Sequence, residues 1–195
     1  MTLDHHIATP SRSDEISRDA ALIAEIAAGD QDSARLLVQR HSKPLYGLAG
    51  RMLNASDAED VVQEAFIRLW NQAKRWRAEA KIATWLHRVV YNLCIDHLRK
   101  KQGIDLDAIP EPTDPSQDLY AHHANQQLAN RLDAALGQLP SRQRAAVTLV
   151  YHLGFSQLEA AQIMEIGVKA LESLLSRARK TLRQSLKDLH NGSSS

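Results

Sequence analysis

At 195 residues, 44% of them hydrophobic and 24% charged, the chain has the make-up of a folded soluble protein with room for one large domain or two small ones. Aromatics are sparse at 5% while Ala and Leu abound, which favours helices over sheets, and the single cysteine, Cys94, excludes an intramolecular disulfide or a Cys-rich zinc site. The net charge of +1 conceals an uneven distribution: no Lys or Arg lies between Lys101 and Arg131, where Asp105, Asp107, Glu111, Asp114 and Asp118 gather, and bases cluster on either side.

Residues 1–16 are polar and aperiodic and read as a flexible tail without the basic start and apolar core of a signal peptide. No apolar run approaches the roughly 20 residues that cross a bilayer, so a cytoplasmic protein with no membrane insertion is expected. From Ser17 to Met52 apolar residues recur at helical spacing, at Leu22, Ile23, Ile26, Leu36, Leu37, Leu45 and Leu48, with Leu53 just beyond. Gly29 is a natural C-cap, Asp30 or Asp32 a natural N-cap, and Pro44 would bend a helix or begin a new one.

The stretch "DAEDVVQEAFIRLW", 57–70, is a helix with Val61, Val62, Ala65, Phe66, Leu69 and Trp70 on its apolar stripe. A capping box at Ser56–Glu59 would start it. Its other face is acidic, with Asp57, Asp60 and Glu64, which DNA would repel. Next comes a basic and aromatic segment, Arg75, Trp76, Arg77 and Lys81. A long helix from Thr84 follows, through Trp85, Arg88, Asn92 and Asp96 to a basic end at Arg99. Aromatic faces among cations suit unpaired bases, since stacking tolerates any base while Lys and Arg hold the strand. Burial in a core is an equal alternative for Trp85.

Residues 103–125, with Pro110, Pro112 and Pro115 among acids, read as an acidic linker rather than a regular element. Leu128, Leu132, Ala135, Leu136 and Leu139 then form an amphipathic helix stopped by Pro140, and a further helix begins at Ser141 and ends at Gly154. A second capping box, Ser156–Glu159, opens a short helix expected to pack Leu158, Ala161, Ile163 and Met164, and Gly167 is expected to make the turn that follows. The last helix buries Val168, Leu171, Leu175, Ala178 and Leu182 and presents Lys169, Glu172, Ser173, Ser176 and Lys180 on another side, with Arg177, Arg179 and Arg183 along it. Two helices, a tight turn and a basic second helix are what docking in a major groove requires. The expected fold is all-α: two small helical domains, 17–102 and 126–190, joined by a flexible acidic linker, the second domain a helix-turn-helix.

No catalytic constellation is present. Asp60 and Glu64 lack a Glu-x-x-His partner, His122-His123 is only a pair, and no phosphate-binding Gly loop occurs. Neither a metal, a cofactor nor an enzymatic activity is expected. A conventional helix-turn-helix regulator would explain 153–186, but not the acidic helix, the Trp-Arg segment and the acidic tether together.

"DAEDVVQEAFIRLW", "TWLHRVVYNLCIDHLRKK", "LPSRQRAAV" and "SRARKTLR" together resemble the extracytoplasmic-function sigma factors, over Ser17 to Leu189 and in the family's order and spacing. The resemblance implies two domains that bind core RNA polymerase, through its beta-prime and beta subunits, and direct it to promoter DNA. It implies a polymerase dock at Asp57, Asp60, Glu64, Arg68 and Trp70, whose acids would meet a basic protein surface. It implies recognition and melting of the minus-ten element by Arg75, Trp76, Arg77, Lys81, Thr84, Trp85, Arg88, Asn92, Asp96 and Arg99. The minus-thirty-five element would fall to Lys169, Glu172, Ser173, Ser176, Arg177, Arg179 and Lys180. The linker would thread the polymerase near the RNA path, and an anti-sigma factor would hold the protein inactive. "KALESLL", 169–175, departs from the family's commonest form, "G-T-V-K-S-R-L". Glu172 stands where that form has a base, and a Glu can accept from cytosine N4, so a different promoter sequence is expected.

Overall fold

A computed structural model of the chain describes residues 12–77, 81–102 and 134–191. Residues 1–11 of the expected tail, the linker at 103–125 and the histidine pair within it lie outside the described residues, whereas residues 12–16, expected in the tail, belong to the first helix. Among the described residues the α-helices with both ends described are α1 (Arg12–Ala27), α2 (Gln31–Met52), α3 (Ala55–Ala73), α4 (Ile82–Gln102), α5 (Ser141–Val147), α6 (Gln157–Ile163) and α7 (Val168–Asn191), residues 134–137 are also helical, and α5 runs into a π-helical turn at Thr148–His152. Among the described residues there is no strand.

Local chemistry sets these boundaries. Gly29 takes φ +95° after α1, with its amide on the Ile26 carbonyl and the Asp30 amide on that of Glu25, a glycine-closed helix end. The Asp30 carboxylate accepts from the amides of Asp32 and Ser33 and starts α2. The Ser33 hydroxyl, and after it the Asp32 amide, holds the Asp30 carboxyl below its usual range. Pro44 does not begin a new helix, since α2 runs on past it from Gln31 to Met52. The α3 cap is Asn54, whose side chain accepts from the Asp57 amide, rather than Ser56 with Glu59; the helix simply starts one residue before that serine. Helix α4 begins at Ile82, two residues earlier than expected, because the Asp19 carboxylate of α1 accepts from the Ile82 amide at 3.3 Å.

The core is continuous through both halves of the chain. Leu37, Leu45 and Leu48 of α2, Val61, Val62, Phe66 and Leu69 of α3, and Leu86, Val90 and Cys94 of α4 join Ala145, Leu149, Ile163, Leu171 and Leu175 of the C-terminal half. Each fully buried Leu or Ile stabilises the fold by about 1.5–3 kcal/mol. Burial pushes the Cys94 thiol up to about 12, so it packs as a small apolar group. Leu36 is the exception in the α2 pattern, at 45% exposed. Leu136 and Leu139 close over Ala178 of α7, beside Pro140.

The halves meet where α2 packs on α5 and the π-helical turn, and where α4 packs on α6. Arg144 of α5 rivets the first contact. Its buried guanidinium donates to the Arg51 carbonyl at the end of α2 at 3.1 Å, and also to the carbonyls of Leu139, at 3.0 Å, and Gly137. One cation thus serves the carbonyl ends of two helical segments, where the helix dipole favours it.

Candidate nucleic-acid and partner interfaces

On α3, the apolar stripe turns Val61, Val62, Ala65, Phe66 and Leu69 inward, and this leaves Asp60, Glu64, Ile67 and Arg68 on one outer face. Glu64 accepts from Arg68 Nε at 2.8 Å, a partly exposed pair of modest strength. Ile67 stands 52% exposed beside it. Sequence reasoning did not single out Ile67. The available signal was its position on the acidic face rather than in the apolar stripe. Asp57 falls on the Glu64–Arg68 side of that face but is engaged by a neighbouring helix, and Trp70 lies off the face. The Asp57 carboxylate accepts from Asn54 Nδ2 and from His97 Nε2 of α4, each at 2.9 Å, and so ties α3 to α4. The Trp70 ring is half-buried and tilted against Phe66, centroids 5.5 Å apart.

Lys81, just before α4, and the α4 residues Trp85, Arg88, Asn92, Asp96 and Arg99 recur at three- and four-residue spacing and form one stripe. Its first half is half-buried from Lys81 to Asn92; Asp96 and Arg99 are exposed. Arg75 and Arg77 are exposed, and Trp76 is half-buried with its ring edge-on to Trp85 at 5.7 Å and 81°. The two tryptophans therefore form a pair rather than two independent platforms. Thr84, at 5% exposed, faces the core and offers no surface to a strand in this arrangement.

In the helix-turn-helix, the capping box at α6 is present in full. The Ser156 hydroxyl accepts from the Glu159 amide, and Glu159 accepts from the Ser156 amide at 3.1 Å. Ala160, Ala161, Ile163 and Met164 fill the core. Leu158 does not: it is 55% exposed, since it falls on the outer side of a helix of only two turns. The turn itself differs from expectation. Glu165, not Gly167, adopts the left-handed backbone, at φ 54°, because the helix closes with the Ile166 amide on the Ala161 carbonyl. That bond puts residue 165 at the left-handed position. On α7, Leu171, Leu175 and Ala178 are buried, while Lys169, Glu172, Ser173, Ser176, Arg177, Arg179 and Lys180 are all exposed. Val168, expected inside, is 36% exposed at the first turn.

Two buried histidines underlie the joint between the halves. His87 of α4 donates from Nδ1 to the Ala83 carbonyl at 2.7 Å and meets the Phe155 ring edge-on at 4.8 Å. Burial holds its pKa below the usual value, against the opposing pull of the Ala83 bond. His41 of α2 falls to about 4, mainly through burial, with smaller contributions from His87 and Arg40. Among the described residues no group of three or more His, Cys, Asp or Glu could hold a metal ion.

Residues 37–104 match the sigma-70 region 2 family, and residues 129–182 match sigma-70 region 4. The chain is 34% identical over 178 residues to the ECF RNA polymerase sigma factor SigM of Mycobacterium tuberculosis, spanning 89% of this chain and 87% of that protein. It is 32% identical over 180 residues to the ECF RNA polymerase sigma factor SigW of Bacillus subtilis, over 86% of this chain and 96% of SigW. In three dimensions it is similar to CnrH, solved in complex with the cytosolic domain of CnrY, with a TM-score of 0.65, 29% identity and coverage of 87% and 97% of the two chains. The sigma factor RpoE of Bartonella quintana, solved with the anti-sigma factor NepR, shares the fold at a TM-score of 0.66 and 24% identity, over 78% of this chain and 96% of that one. These likenesses favour an initiation factor over a conventional regulator: the chain belongs to the extracytoplasmic-function RNA polymerase sigma factors.

Proposed function

We propose that the chain docks on core RNA polymerase through the outer face of α3 and delivers it to promoters in the cytoplasm. Asp60 and Glu64 would meet a basic surface on the beta-prime subunit, with Ile67 supplying the apolar centre that desolvates those charges. The C-terminal unit, 126–190, would engage the beta subunit and, through the first turns of α7, the minus-thirty-five duplex. Its exposed Lys169, Glu172, Ser173 and Ser176 would meet base edges, and Arg177, Arg179 and Lys180 phosphates. The N-terminal unit, 17–102, would hold the unpaired minus-ten strand along Arg75, Trp76, Arg77, Lys81, Trp85, Arg88, Asn92 and Arg99. The segment 103–125 would be the acidic tether between them.

The observation that carries this reading is the acidic and apolar face of α3, set on a helix whose other side is buried. A face of that charge repels DNA and calls for a protein. An anti-sigma factor is a further expected partner. Support comes from the exposed apolar side chains Tyr46, Tyr151, Leu158 and Val168, and from the relative CnrH, held by a cytosolic domain. Gel filtration with core polymerase tests the dock. The wild type should co-elute, and Asp60→Lys/Glu64→Lys should not. Co-elution of the doubly reversed chain would move the dock elsewhere, and tight duplex binding by a wild type that ignores polymerase would reject the reading.

A further inference from the structure

The helix-turn-helix, 155–183, carries three acids, Glu159, Glu165 and Glu172, and they are occupied differently. Glu159 closes the capping box and lies 4.0 Å from Lys81 Nζ, and Glu165 accepts from Asn92 Nδ2 at 3.2 Å. Glu172 has no such partner. It stands exposed in the second turn of α7, and among the described residues no hydrogen bond or ion pair engages its carboxylate. Its neighbours on that face are Lys169, one turn back, and Ser176, one turn on, both exposed. Ser173 beside them donates its hydroxyl proton to the Lys169 carbonyl at 2.9 Å, so that donor is already engaged on the helix itself. The polar face of α7 thus presents one free carboxylate, a group that accepts and cannot donate, among side chains that donate.

We propose that Glu172 selects a C·G base pair in the minus-thirty-five duplex, its carboxylate accepting a hydrogen bond from cytosine N4. The proposal rests on the reading of the first turns of α7 as the face that meets base edges. The phosphates of a duplex repel a carboxylate, so an acid on that face lowers affinity for every sequence that offers it no donor. Base edges in the major groove hold only two kinds of donor, the amino groups of cytosine and adenine. Adenine N6 stands between two acceptors, its own N7 and the O4 of the paired thymine, and both repel a carboxylate. Cytosine N4 has an acceptor on one side only, the O6 of guanine, and a C5–H edge on the other. Cytosine is therefore the base that suits Glu172 best. Discrimination comes from two sources, a bond gained at C·G and a desolvated charge left without a donor at any other pair. Lys169 and Ser176 select less sharply, since they donate and every base pair shows an acceptor in this groove.

The test uses the full chain in complex with core polymerase and a randomised duplex library, from which bound duplexes are recovered and sequenced. For the wild type, one position of the upstream element should hold C·G, and replacing it by any other pair should weaken binding about tenfold. Glu172→Ala should recover the same element with that one position degenerate. Glu172→Gln should move the position toward A·T, because an amide meets adenine N6 and N7 together. Both variants should keep the helicity of the wild type, since the site is exposed. Identical selections by the wild type and Glu172→Ala would overturn the proposal. So would a uniform gain in affinity with every base preference intact, which would make Glu172 a charge and not a reader. A position that loosens in Glu172→Ala but held another pair in the wild type would overturn the cytosine assignment. Selected duplexes without any upstream element would reject the duplex-facing reading of α7 itself, and the proposal with it.

Discussion

The stripe on α4 and the polar face of α7 have the same kind of sequence, basic and polar residues recurring around an apolar seam, yet they end in different environments. Helix α7 buries one seam, Leu171, Leu175 and Ala178, and leaves Lys169, Glu172, Ser173, Ser176, Arg177, Arg179 and Lys180 to solvent. Helix α4 is used on two sides. Leu86, Val90 and Cys94 enter the core, while Lys81, His87 and Asn92 meet Glu159, Phe155 and Glu165 from the other half. An apolar seam predicts the first burial and is silent about the second. Polar side chains can be covered when a partner supplies opposite charge and a ring, and no periodicity records that.

The largest effect expected on this contrast comes from Arg144. Arg144→Met takes the donor from the carbonyls of Arg51, across the contact of α2 with α5, and of Gly137 and Leu139. Leaving buried acceptors unsatisfied costs about 1–3 kcal/mol per group, so a loss of about 3 kcal/mol in urea unfolding is expected. The same change on the open face, Arg177→Met, should stay within about 0.5 kcal/mol. Equal losses at the two sites would erase the distinction between a riveted and an open face.

A smaller effect concerns the joint and pH. His41 lies buried at about 4 and His87 is also lowered. A histidine whose folded pKa lies below its unfolded value of about 6.5 takes up protons more readily when unfolded. Its contribution to stability is therefore complete above about pH 6.5 and is lost as the pH falls from there toward 4. At pH 5.5 the His41 share of that loss is about 1 kcal/mol. Relative to the wild type, His41→Gln should flatten the fall in stability between pH 7.5 and 5.5. A parallel pH profile in the variant would remove His41 from the account.

Much of the fold was legible because it is set by neighbours in sequence. The Ser156–Glu159 box, the Gly29 helix end and the α3 and α7 apolar seams each lie within one or two turns, where a side chain and its backbone partner are fixed together. Local rivals account for the misses. Asn54 stood two residues before Ser56 as an equally good cap, and Glu165 took a position that composition assigns to Gly167. Ile82 begins α4 because of Asp19, which no local rule could connect to it. The site was legible to the same degree. The faces of α3 and α7 follow from spacing. The Asp57–His97 tie, the pairing of Trp76 with Trp85 and the cover over α4 join residues that only the tertiary fold brings together.

The smallest effect tests whether the Glu165 strain is spent on α4. A left-handed backbone costs a non-glycine residue about 1 kcal/mol, which Glu165→Gly should release. The same substitution removes the hydrogen bond from Asn92, of about 1 kcal/mol, so in the wild-type chain the two changes should nearly cancel. In an Asn92→Ala background the bond is already gone, and Glu165→Gly should then stabilise by about 1 kcal/mol in full. That difference between backgrounds is the coupling between turn and stripe, measured by a double-mutant cycle in urea. If Glu165→Gly stabilises both backgrounds equally, the Asn92 contact contributes nothing, and the α4 stripe is no more engaged by the helix-turn-helix than the open face of α7. A near-zero effect in the wild type beside a clear gain in the variant would mean that the strained turn is offset by its hold on α4.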